Sequence, residues 1–422
     1  MTFPPQCRTN SQLEVLIPVS AEPEITSFPF SSPALPYDPA PEVRDLMAKC
    51  PVNKVRMPDD APAWLITGFR EVREAVTDQR YSRALVFAPG RQLYSVDVAL
   101  AGGITAMDPP EHSRFRKLVA GAFTGRRIEA LRPSVIEIVN ELIDAMLAGP
   151  RPADLVSSFA FILPASVICL LLGVPVTDAD RFAGLVGELA GDASRSPERM
   201  FEAYTALVGY MSELIAKRRE APEDDLISVL IDARDSKGRL SEEELVQFCI
   251  TLLGAGFETT ANAIGLSFVA LCQHPGELDR LRADPGLIPG AVEELLRYVN
   301  IFGTGFQALP RVTREEVCLG GVTIGAGETV LSAFSAANRD PAEFEDPDRL
   351  DVGREPKSHL AFGGGAHHCL GAQLARMELQ EAFRGLLTRL PGLRMAVSVP
   401  DLEFREGQAL TTMRELPVTW DD

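Results

Sequence analysis

The sequence carries too few basic residues for a partner rich in negative charge. Its 422 residues hold 41 lysines and arginines against 59 aspartates and glutamates, which gives a net charge of −18 at pH 7. Because nucleic-acid-binding proteins concentrate basic residues, nucleic acid is not an expected partner. Apolar residues make up 46% and charged residues 24%, the composition of an ordinary soluble globular protein.

The sequence also lacks a disulfide framework. The cysteines number seven, which is odd, and their spacing is irregular: Cys7, Cys50, Cys169, Cys249, Cys272, Cys318 and Cys369. Free thiols in a reducing cytoplasm are therefore expected.

No targeting segment or membrane anchor is evident. The N-terminal residues show no basic region followed by an apolar core, so no signal peptide is predicted. Residues 159–176 are uncharged and long enough to imitate a membrane span, but they contain Pro164 and Ser166. A helix buried on all sides of a large core is the favoured interpretation.

A linker between domains is missing as well, although the length alone would allow two or three domains. Residues 1–40 are rich in proline and serine and have no hydrophobic period. They are predicted to be an extended or partly disordered lead-in.

A glycine-rich segment around Cys369 is the most informative stretch. Residues 362–376 read FGGGAHHCLGAQLAR, and apolar residues then recur close to a helical period. The glycines allow left-handed backbone angles and close approach to a flat partner. Amides of the loop and the helix N-terminus are expected to lower the pKa of the thiol and hold a thiolate. Such a thiolate is either a metal ligand or a nucleophile.

Three other interpretations of this segment fit less well. A buried structural cysteine would not need three glycines before it. A zinc site from His367, His368 and Cys369 would require adjacent residues to converge on one ion, and no second pair lies at zinc spacing. A phosphate loop would carry Lys-Ser or Lys-Thr after the glycines, and neither is present.

The pattern Phe-x-x-Gly-x-His-x-Cys-x-Gly resembles the haem-binding loop of the cytochrome P-450 monooxygenases. The resemblance implies that Cys369 is the axial thiolate of haem b, where it favours O–O cleavage. It assigns cofactor binding in this loop to Phe362, Gly363, Gly365, His367, Cys369 and Gly371. It also implies a mainly α fold with a small β region, a single triangular domain over residues 41–422.

A long helix with an unusual centre is predicted over residues 241–274. Ser241 caps it, acidic residues follow, and Pro275 ends it. Two glycines and a polar Glu-Thr-Thr interrupt an otherwise apolar pattern in residues 254–260. This resembles the family's oxygen-binding groove, which implies cofactor contacts at Ala255 and Gly256, a local distortion, and proton delivery by Glu258 and Thr259. A plain core helix in which a threonine hydroxyl bonds the preceding turn is the alternative.

Further basic residues resemble the family's propionate ligands. Asp108 is predicted to cap a helix whose first turn holds prolines, and His112 and Arg116 then share a face. The resemblance assigns these two residues, together with Arg311 and His359, to the haem propionates. Without it, the same spacing would indicate a solvated basic face.

Glu294 and Arg297 match the family's Glu-x-x-Arg helix. An acid and a base three residues apart most often form a weak surface ion pair. The resemblance instead implies a buried pair that braces the cysteine segment, a structural role.

Residues 82–105 form a long apolar stretch without a clean period, which the resemblance makes the cover of the substrate pocket. A variable loop packed on the core is the alternative. The residues expected to contact substrate are Phe87, Leu93, Leu100, Gly254, Phe302, Thr304, Gln307 and Thr412.

The implied function is oxidation of a small organic molecule, such as a secondary metabolite, by hydroxylation, epoxidation or oxidative coupling with O2. Electrons from NAD(P)H would arrive through ferredoxin reductase and ferredoxin, because no flavin or iron–sulfur module is fused to the chain. We expect a monomer of the soluble, actinomycete-like type. A peroxide-driven haem enzyme and a non-catalytic haem sensor or recruitment protein are the alternatives.

Overall fold

The computed structural model describes residues 26–27, 30–91, 103–121, 123–175, 178, 184–185, 197–235, 240–302, 310–405 and 410–422. The principal helices there are α1 Pro41–Lys49, α2 Phe69–Thr77, α3 Glu111–Val119, α4 Gly125–Ala148, α5 Ile162–Leu172, α6 Pro197–Glu220, α7 Leu226–Asp235, α8 Glu242–Gln273, α9 Pro275–Ala283, α10 Ile288–Tyr298, α11 Phe334–Ala337 and α12 Ala372–Arg389. The strands are β1 Thr26–Ser27, β2 Val52–Arg56, β3 Pro62–Ile66, β4 Tyr81–Ser82, β5 Ala153–Asp154, β6 Arg311–Thr313, β7 Val317–Leu319, β8 Val322–Ile324, β9 Thr329–Ser332, β10 Arg394–Met395 and β11 Pro417–Thr419. The chain is mainly α-helical with a smaller β region, as predicted.

The largest sheet has six strands in the order β1-β2-β3-β9-β6-β4. The apolar residues of the 51–67 stretch predict a hairpin at the edge of a small sheet, and strands β2 and β3 form that antiparallel hairpin, in which Val52 pairs with Ile66. The hairpin is less peripheral than expected, because β1 lies outside β2 and β3 pairs in parallel with β9. This sheet carries Tyr81 and Arg311 on neighbouring strands, and both residues reappear in the functional site.

The long helix α8 begins and ends where the sequence predicts. The Ser241 hydroxyl accepts a hydrogen bond from the Glu244 amide (3.1 Å), and the Ser241 amide donates to the Glu244 carboxylate (2.8 Å). The helix packs against α5, α6 and α12. By length and composition it could cross a membrane, but 72% of its apolar window is buried inside the protein. It is therefore the central core helix.

Residues 159–176 do not form one fully buried helix. A π-helical turn, Val156–Ala160, precedes α5, and the left-handed Gly173 (φ 83°) ends α5. Ile162 and Leu170 are each 39% exposed. One side of α5 packs on α8 and another remains open, so the prediction of burial on all sides was wrong.

Packed structure starts before the boundary expected at residue 41. Tyr37 and Ala40 are fully buried, and Phe30 is nearly so. Tyr37 belongs to the same core cluster as Trp420 near the other end of the chain. Residues 1–25 of the predicted lead-in lie outside the described residues.

Glu294 and Arg297 form a buried ion pair on α10. Arg297 donates to both Glu294 carboxylate oxygens, at 2.7 and 2.8 Å. Its remaining nitrogen donates to the carbonyls of Asn338 (2.8 Å) and Pro347 (2.9 Å). Arg354 also bonds Glu294, at 3.0 Å. The pair thus ties α10 to the loop that leads toward Cys369.

Candidate functional site

Cys369 lies between a single 3-10 turn, Gly365–His367, and helix α12. Gly363 and Gly365 both have positive φ, 65° and 63°, a conformation that favours glycine. A Cβ at Gly365 would also overlap the Val76 carbonyl of α2. The Cys369 amide donates to the Phe362 carbonyl (2.9 Å), which closes the loop. The glycines therefore permit a tight loop that presents the cysteine.

The thiol of Cys369 faces an internal space. Cys369 as a residue has accessible surface, but the protein atoms packed around the thiol desolvate it and raise its pKa. The Gly371 amide, Arg116 and Arg376 favour the thiolate without cancelling the effect of burial. The expectation that amides of the loop and the helix N-terminus lower the pKa of this thiol was therefore wrong for the protein by itself, because desolvation outweighs them. A metal ion bound to the sulfur would displace the proton.

The middle of α8 also faces an internal space. Gly254 and Ala255 are exposed, whereas the neighbouring Leu253 and Phe257 are buried. No atom outside the helix would lie within 4 Å of a Cβ at Gly254. An accessible stretch in the centre of a core helix marks a cavity beside it.

His112, Arg311 and His367 cluster at the start of the cysteine loop. The His112 and His367 rings lie 4.2 Å apart between centroids. Nδ1 of His112 and Nε2 of His367 are buried without a hydrogen-bond partner in the described parts of the chain. Arg311 is also buried, and its guanidinium donates to the Tyr81 carbonyl (3.3 Å). A pocket of about 420 Å³ is lined by Tyr81, Arg311 and His367, among others.

The electrostatics of the cluster favour binding of an anion. Burial, followed by the nearby His112 and Arg311, lowers the pKa of His367 to about 3. Burial and Arg83 lower the pKa of Arg311 to about 10. Burial also lowers the pKa of Arg116, while the neighbouring Cys369 opposes that shift. A carboxylate bound here would pair with the crowded cations and satisfy the two unpaired ring nitrogens.

His359 does not join this cluster. Its Nε2 lies 3.2 Å from the Glu293 carboxylate, and its Nδ1 accepts a hydrogen bond from the Ala361 amide (3.2 Å). Both ring nitrogens are therefore occupied by protein groups. His367, which the motif already contained, stands with His112 and Arg311 where His359 was expected.

Asp108 is not a helix cap. Its carboxylate accepts hydrogen bonds from the amides of Arg83 (2.9 Å) and Ala84 (3.3 Å) and pairs with Arg314 (2.6 Å). The cap position of α3 is Pro110, so the prolines precede the helix instead of starting it. Asp108 instead ties the start of α3 to the end of β4, because amides from a distant segment outcompete the local ones.

Glu258 and Thr259 lie half-buried on α8. Burial raises the pKa of Glu258 to about 7, against the lowering effects of Arg405 and of a hydrogen bond with Thr412. The Thr259 hydroxyl donates to the Ala255 carbonyl (2.8 Å), the back-bond of a plain helix. Helix α8 continues unbroken through residues 254–260, so the expected distortion is absent.

The C-terminal segment reaches the long helix. Phe404 pairs with Met413 in an antiparallel bridge, and Leu410 pairs with Phe302. Thr412, 5% exposed, accepts a hydrogen bond from the Asn262 side chain (3.1 Å). Its hydroxyl is thus committed to α8 and offers little surface to a ligand.

The remaining substrate predictions are tested unevenly by the described residues. Phe87 is half-buried with the Arg83 guanidinium 5.5 Å from its ring centre, and Phe302 is half-buried beside Leu410. Leu93, Leu100, Thr304 and Gln307 lie outside the described residues.

Sequence reasoning missed Asn262, Arg405 and Glu293. Asn262 could have been noticed, since it is a polar residue in an apolar run. Nothing local marks the other two.

The chain matches the cytochrome P450 family model over residues 192–285 and 286–411. Mycinamicin IV hydroxylase/epoxidase of Micromonospora griseorubida is 49% identical over 371 residues, which cover 88% of this chain and 92% of that protein. Nocardicin C N-oxygenase of Nocardia uniformis subsp. tsuyamanensis is 44% identical over 397 residues, covering 93% and 98%. A solved structure of a mutant of the mixed-function P450 MycG in complex with mycinamicin V gives a TM-score of 0.87 at 46% identity, covering 94% and 100%. The chain belongs to the cytochrome P450 family.

Membership of this family implies haem with a cysteine thiolate ligand, and O2 as the oxidant. The similar proteins include a hydroxylase/epoxidase and an N-oxygenase. Within the family, this chain is a P450 monooxygenase of the bacterial, actinomycete-like type.

Proposed function

We propose that haem b binds between the cysteine loop and the middle of α8, where the Cys369 thiolate would hold its iron. The two propionates would pair with His112, Arg116, Arg311 and His367. The observation that carries this assignment is the pair of buried nitrogens on His112 and His367, which have no partner among the described residues, beside the buried Arg311 and the half-buried Arg116. A dicarboxylate with a flat apolar body matches those donors and the accessible surface of Gly254 and Ala255.

The bound haem would supply dioxygen binding and O–O cleavage, supported by the thiolate. The protein's own contribution is to deliver protons. A carboxyl group with a pKa of about 7 holds and releases a proton near neutrality, which suits Glu258 as the donor. The Thr259 hydroxyl, bonded to Ala255 in this structure, would turn toward the cavity to pass that proton on.

The substrate is a small organic molecule, oxidised by hydroxylation, epoxidation or oxidative coupling in secondary metabolism. Similar proteins are named for mycinamicin IV and nocardicin C, which supports this class without fixing the compound. Gly254, Phe87 and Phe302 are the described residues assigned to substrate contact. A screen of compounds for displacement of the iron-bound water, followed by absorbance, would identify the substrate.

Electrons would come from NAD(P)H through ferredoxin reductase and ferredoxin, to a cytoplasmic monomer. The acid–alcohol pair Glu258 and Thr259 favours this route, because a peroxide-driven enzyme or a haem sensor has no need of proton delivery. The discriminating measurement is NADPH-dependent turnover with a surrogate ferredoxin and its reductase. Product formed only with peroxide, or no product at all, would favour the alternatives.

The axial ligand is tested directly by substitution. Cys369→His should abolish the long-wavelength Soret band that the carbonyl adduct of the reduced protein shows under thiolate ligation, because imidazole replaces sulfur. Cys249→Ser, a change at a buried cysteine of α8, is the control and should keep the band. A band that survives Cys369→His would refute the assignment.

A further inference from the structure

Glu293, which neighbours the Glu-x-x-Arg pair on α10, binds two residues of the cysteine region at once. Arg376 of α12 donates from Nε to one carboxylate oxygen (2.7 Å) and from Nη2 to the other (3.0 Å). The second oxygen also lies 3.2 Å from Nε2 of His359. Consecutive glutamates on α10 thus hold different segments, Glu294 the loop before the cysteine and Glu293 the cysteine region itself.

The contacts of His359 fix its proton. The Ala361 amide can only donate, so Nδ1 of His359 accepts that bond and the ring proton sits on Nε2. The ring therefore donates from Nε2 to Glu293. The His359 side chain is only 3% exposed, so its end of the bond is shielded from water, whereas the Glu293 side chain is 23% exposed.

Phe362 connects this trio to the cysteine. The Arg376 guanidinium lies 4.6 Å from the centre of the Phe362 ring, and the His359 ring lies 6.0 Å from it. The Phe362 carbonyl in turn accepts the hydrogen bond of the Cys369 amide (2.9 Å). Glu293 thus orients the two side chains that contact Phe362, and Phe362 anchors the backbone of Cys369.

The trio also sets the local charge. Burial disfavours ionisation of Glu293, but the hydrogen bonds from His359 and Arg376 outweigh it and lower the pKa of Glu293 to about 2. The carboxylate is therefore charged and partly neutralises Arg376, a cation that acts on the Cys369 sulfur. Without Glu293 the charge of Arg376 would be less compensated near the sulfur.

We propose that Glu293 is a positioning residue for the axial thiolate: by holding Arg376 and His359 it keeps Phe362 in place and limits the positive field at Cys369, which lowers the reduction potential of the bound iron. This rests on the proposed role of Cys369 as the haem ligand. It goes beyond that role by assigning to α10 a part in tuning the sulfur.

The test uses the haem-loaded full-length chain and its reduction potential, measured by spectroelectrochemical titration. Glu293→Gln should move the potential to a more positive value, because loss of a nearby negative charge favours the reduced state. It should also increase the share of the carbonyl adduct that lacks the thiolate-type band. His359→Ala should cause a smaller shift in the same direction, and adding it to Glu293→Gln should cause no further shift.

Glu381→Gln is the matched control. Glu381 lies on α12, the helix that carries Arg376, and forms an ion pair with Arg132 of α4, so the change removes the same charge and breaks a comparable pair away from Phe362. It should leave the potential unchanged. Arg376→Lys, which keeps the charge but loses the paired bonds, provides a second variant if Glu293→Gln does not fold. It should also increase the share without the thiolate-type band.

Three results would overturn the proposal. The first concerns the two charge-pair variants. It is an unshifted reduction potential in Glu293→Gln when the wild-type protein shows the thiolate-type band, or, if Arg376→Lys is used instead, a thiolate-type band of wild-type strength in that variant. Another is additive shifts in the double variant. The third is haem loss in His359→Ala as fast as in Arg311→Ala, which would mean that His359 holds a propionate. A wild-type protein without the thiolate-type band would refute the Cys369 assignment, and this proposal with it.

Discussion

At the scale of single residues, the unpaired donors carry most of the information. His112 and His367 each leave a buried ring nitrogen without a partner in the described structure. Leaving such a group unsatisfied costs about 1–3 kcal/mol, and two such nitrogens on adjacent rings beside buried Arg311 favour a bound anion more than an isolated unpaired atom does. The same reasoning separates His367, which has a free donor site, from His359, which has none.

The propionate assignment predicts that loss of one basic partner weakens haem retention. Arg311→Ala and His367→Ala should each weaken haem retention by about 1–3 kcal/mol, because a buried carboxylate loses its partner. The rate of haem transfer to apomyoglobin measures this effect. His368→Ala, at the adjacent exposed histidine, is the control and should transfer haem at the wild-type rate. Wild-type rates in both test variants would contradict the assignment.

Glu258 predicts a pH dependence of coupling. As a proton donor it must be protonated, so the fraction of electrons recovered in product should fall as pH rises through about 7. Product formed per NADPH consumed, measured from about pH 6 to 8.5, follows this change. Glu258→Gln should couple poorly at every pH, and its coupling should not decline as pH rises through about 7; this decline is called the pH limb of coupling. A wild-type limb that persists in this variant would place the proton donor elsewhere.

The Glu258 carboxyl also makes the free energy of unfolding depend on pH. The pKa of Glu258 is raised from 4.5 to about 7 in the folded state. Between those values the folded protein holds a proton that the unfolded chain releases, so stability falls as pH rises. The free energy of unfolding, compared with that of Glu258→Gln, should therefore decrease over this interval.

At the scale of elements, the contact between α8 and the C-terminal segment matters most. Asn262 and Glu258, one helical turn apart on α8, both bond the Thr412 hydroxyl. The Arg405 amide donates to the Thr412 carbonyl (2.9 Å), so the segment holds itself in register. A segment expected to contact substrate instead supports the acidic residue of the helix.

Thr412→Val should move the pH limb of coupling upward. The substitution removes a hydrogen bond that lowers the pKa of Glu258, so the carboxyl keeps its proton to higher pH. It also leaves the Asn262 amide unpaired, a cost of about 1 kcal/mol in stability. Thr411→Val is the control, since Thr411 bonds Ile301 through its backbone amide. An unmoved limb in Thr412→Val would show that the hydroxyl does not act on Glu258.

At the scale of the whole molecule, charge constrains the redox partner. The net charge is −18, and ferredoxins are commonly acidic, so docking needs a local basic patch. The proposed patch comprises Arg114, Lys117, Arg126, Arg127 and Arg376. Three of these arginines already form ion pairs: Arg114 with Glu244, Arg127 with Asp224 and Arg376 with Glu293. Lys117 and Arg126 are exposed and form no ion pair within the described chain.

Reversing Lys117 and Arg126 to glutamate should slow ferredoxin-supported turnover and flatten its dependence on ionic strength, because steered association weakens with salt. Peroxide-supported turnover needs no docking and should hardly change. Rates measured from low to high salt by both routes separate the cases. If both rates fall together, the haem site or the fold has been damaged and the docking hypothesis fails.

The sequence by itself determined the features that are contiguous along the chain. The glycines around Cys369, the Ser241 capping box, the β2–β3 hairpin and the spacing of Glu294 and Arg297 depend on a few neighbouring residues. Local backbone angles and helical periods fix their geometry wherever the rest of the chain lies. The family resemblance rested partly on two of these, the loop around Cys369 and the Glu294–Arg297 spacing, and the match to the cytochrome P450 family model confirmed it.

Only the tertiary structure decided which distant groups meet. Glu293 bonds His359, and the amides that follow β4 bond the Asp108 carboxylate. Asn262 of α8 bonds the Thr412 hydroxyl. Each pair is separated by many residues of sequence. The sign of the pKa shift at Cys369 likewise depends on burial, which no local pattern contains. Hydrogen bonding and desolvation act through space. The same side chain can therefore bind a cofactor, cap a helix or join two segments, depending on which groups the fold places beside it.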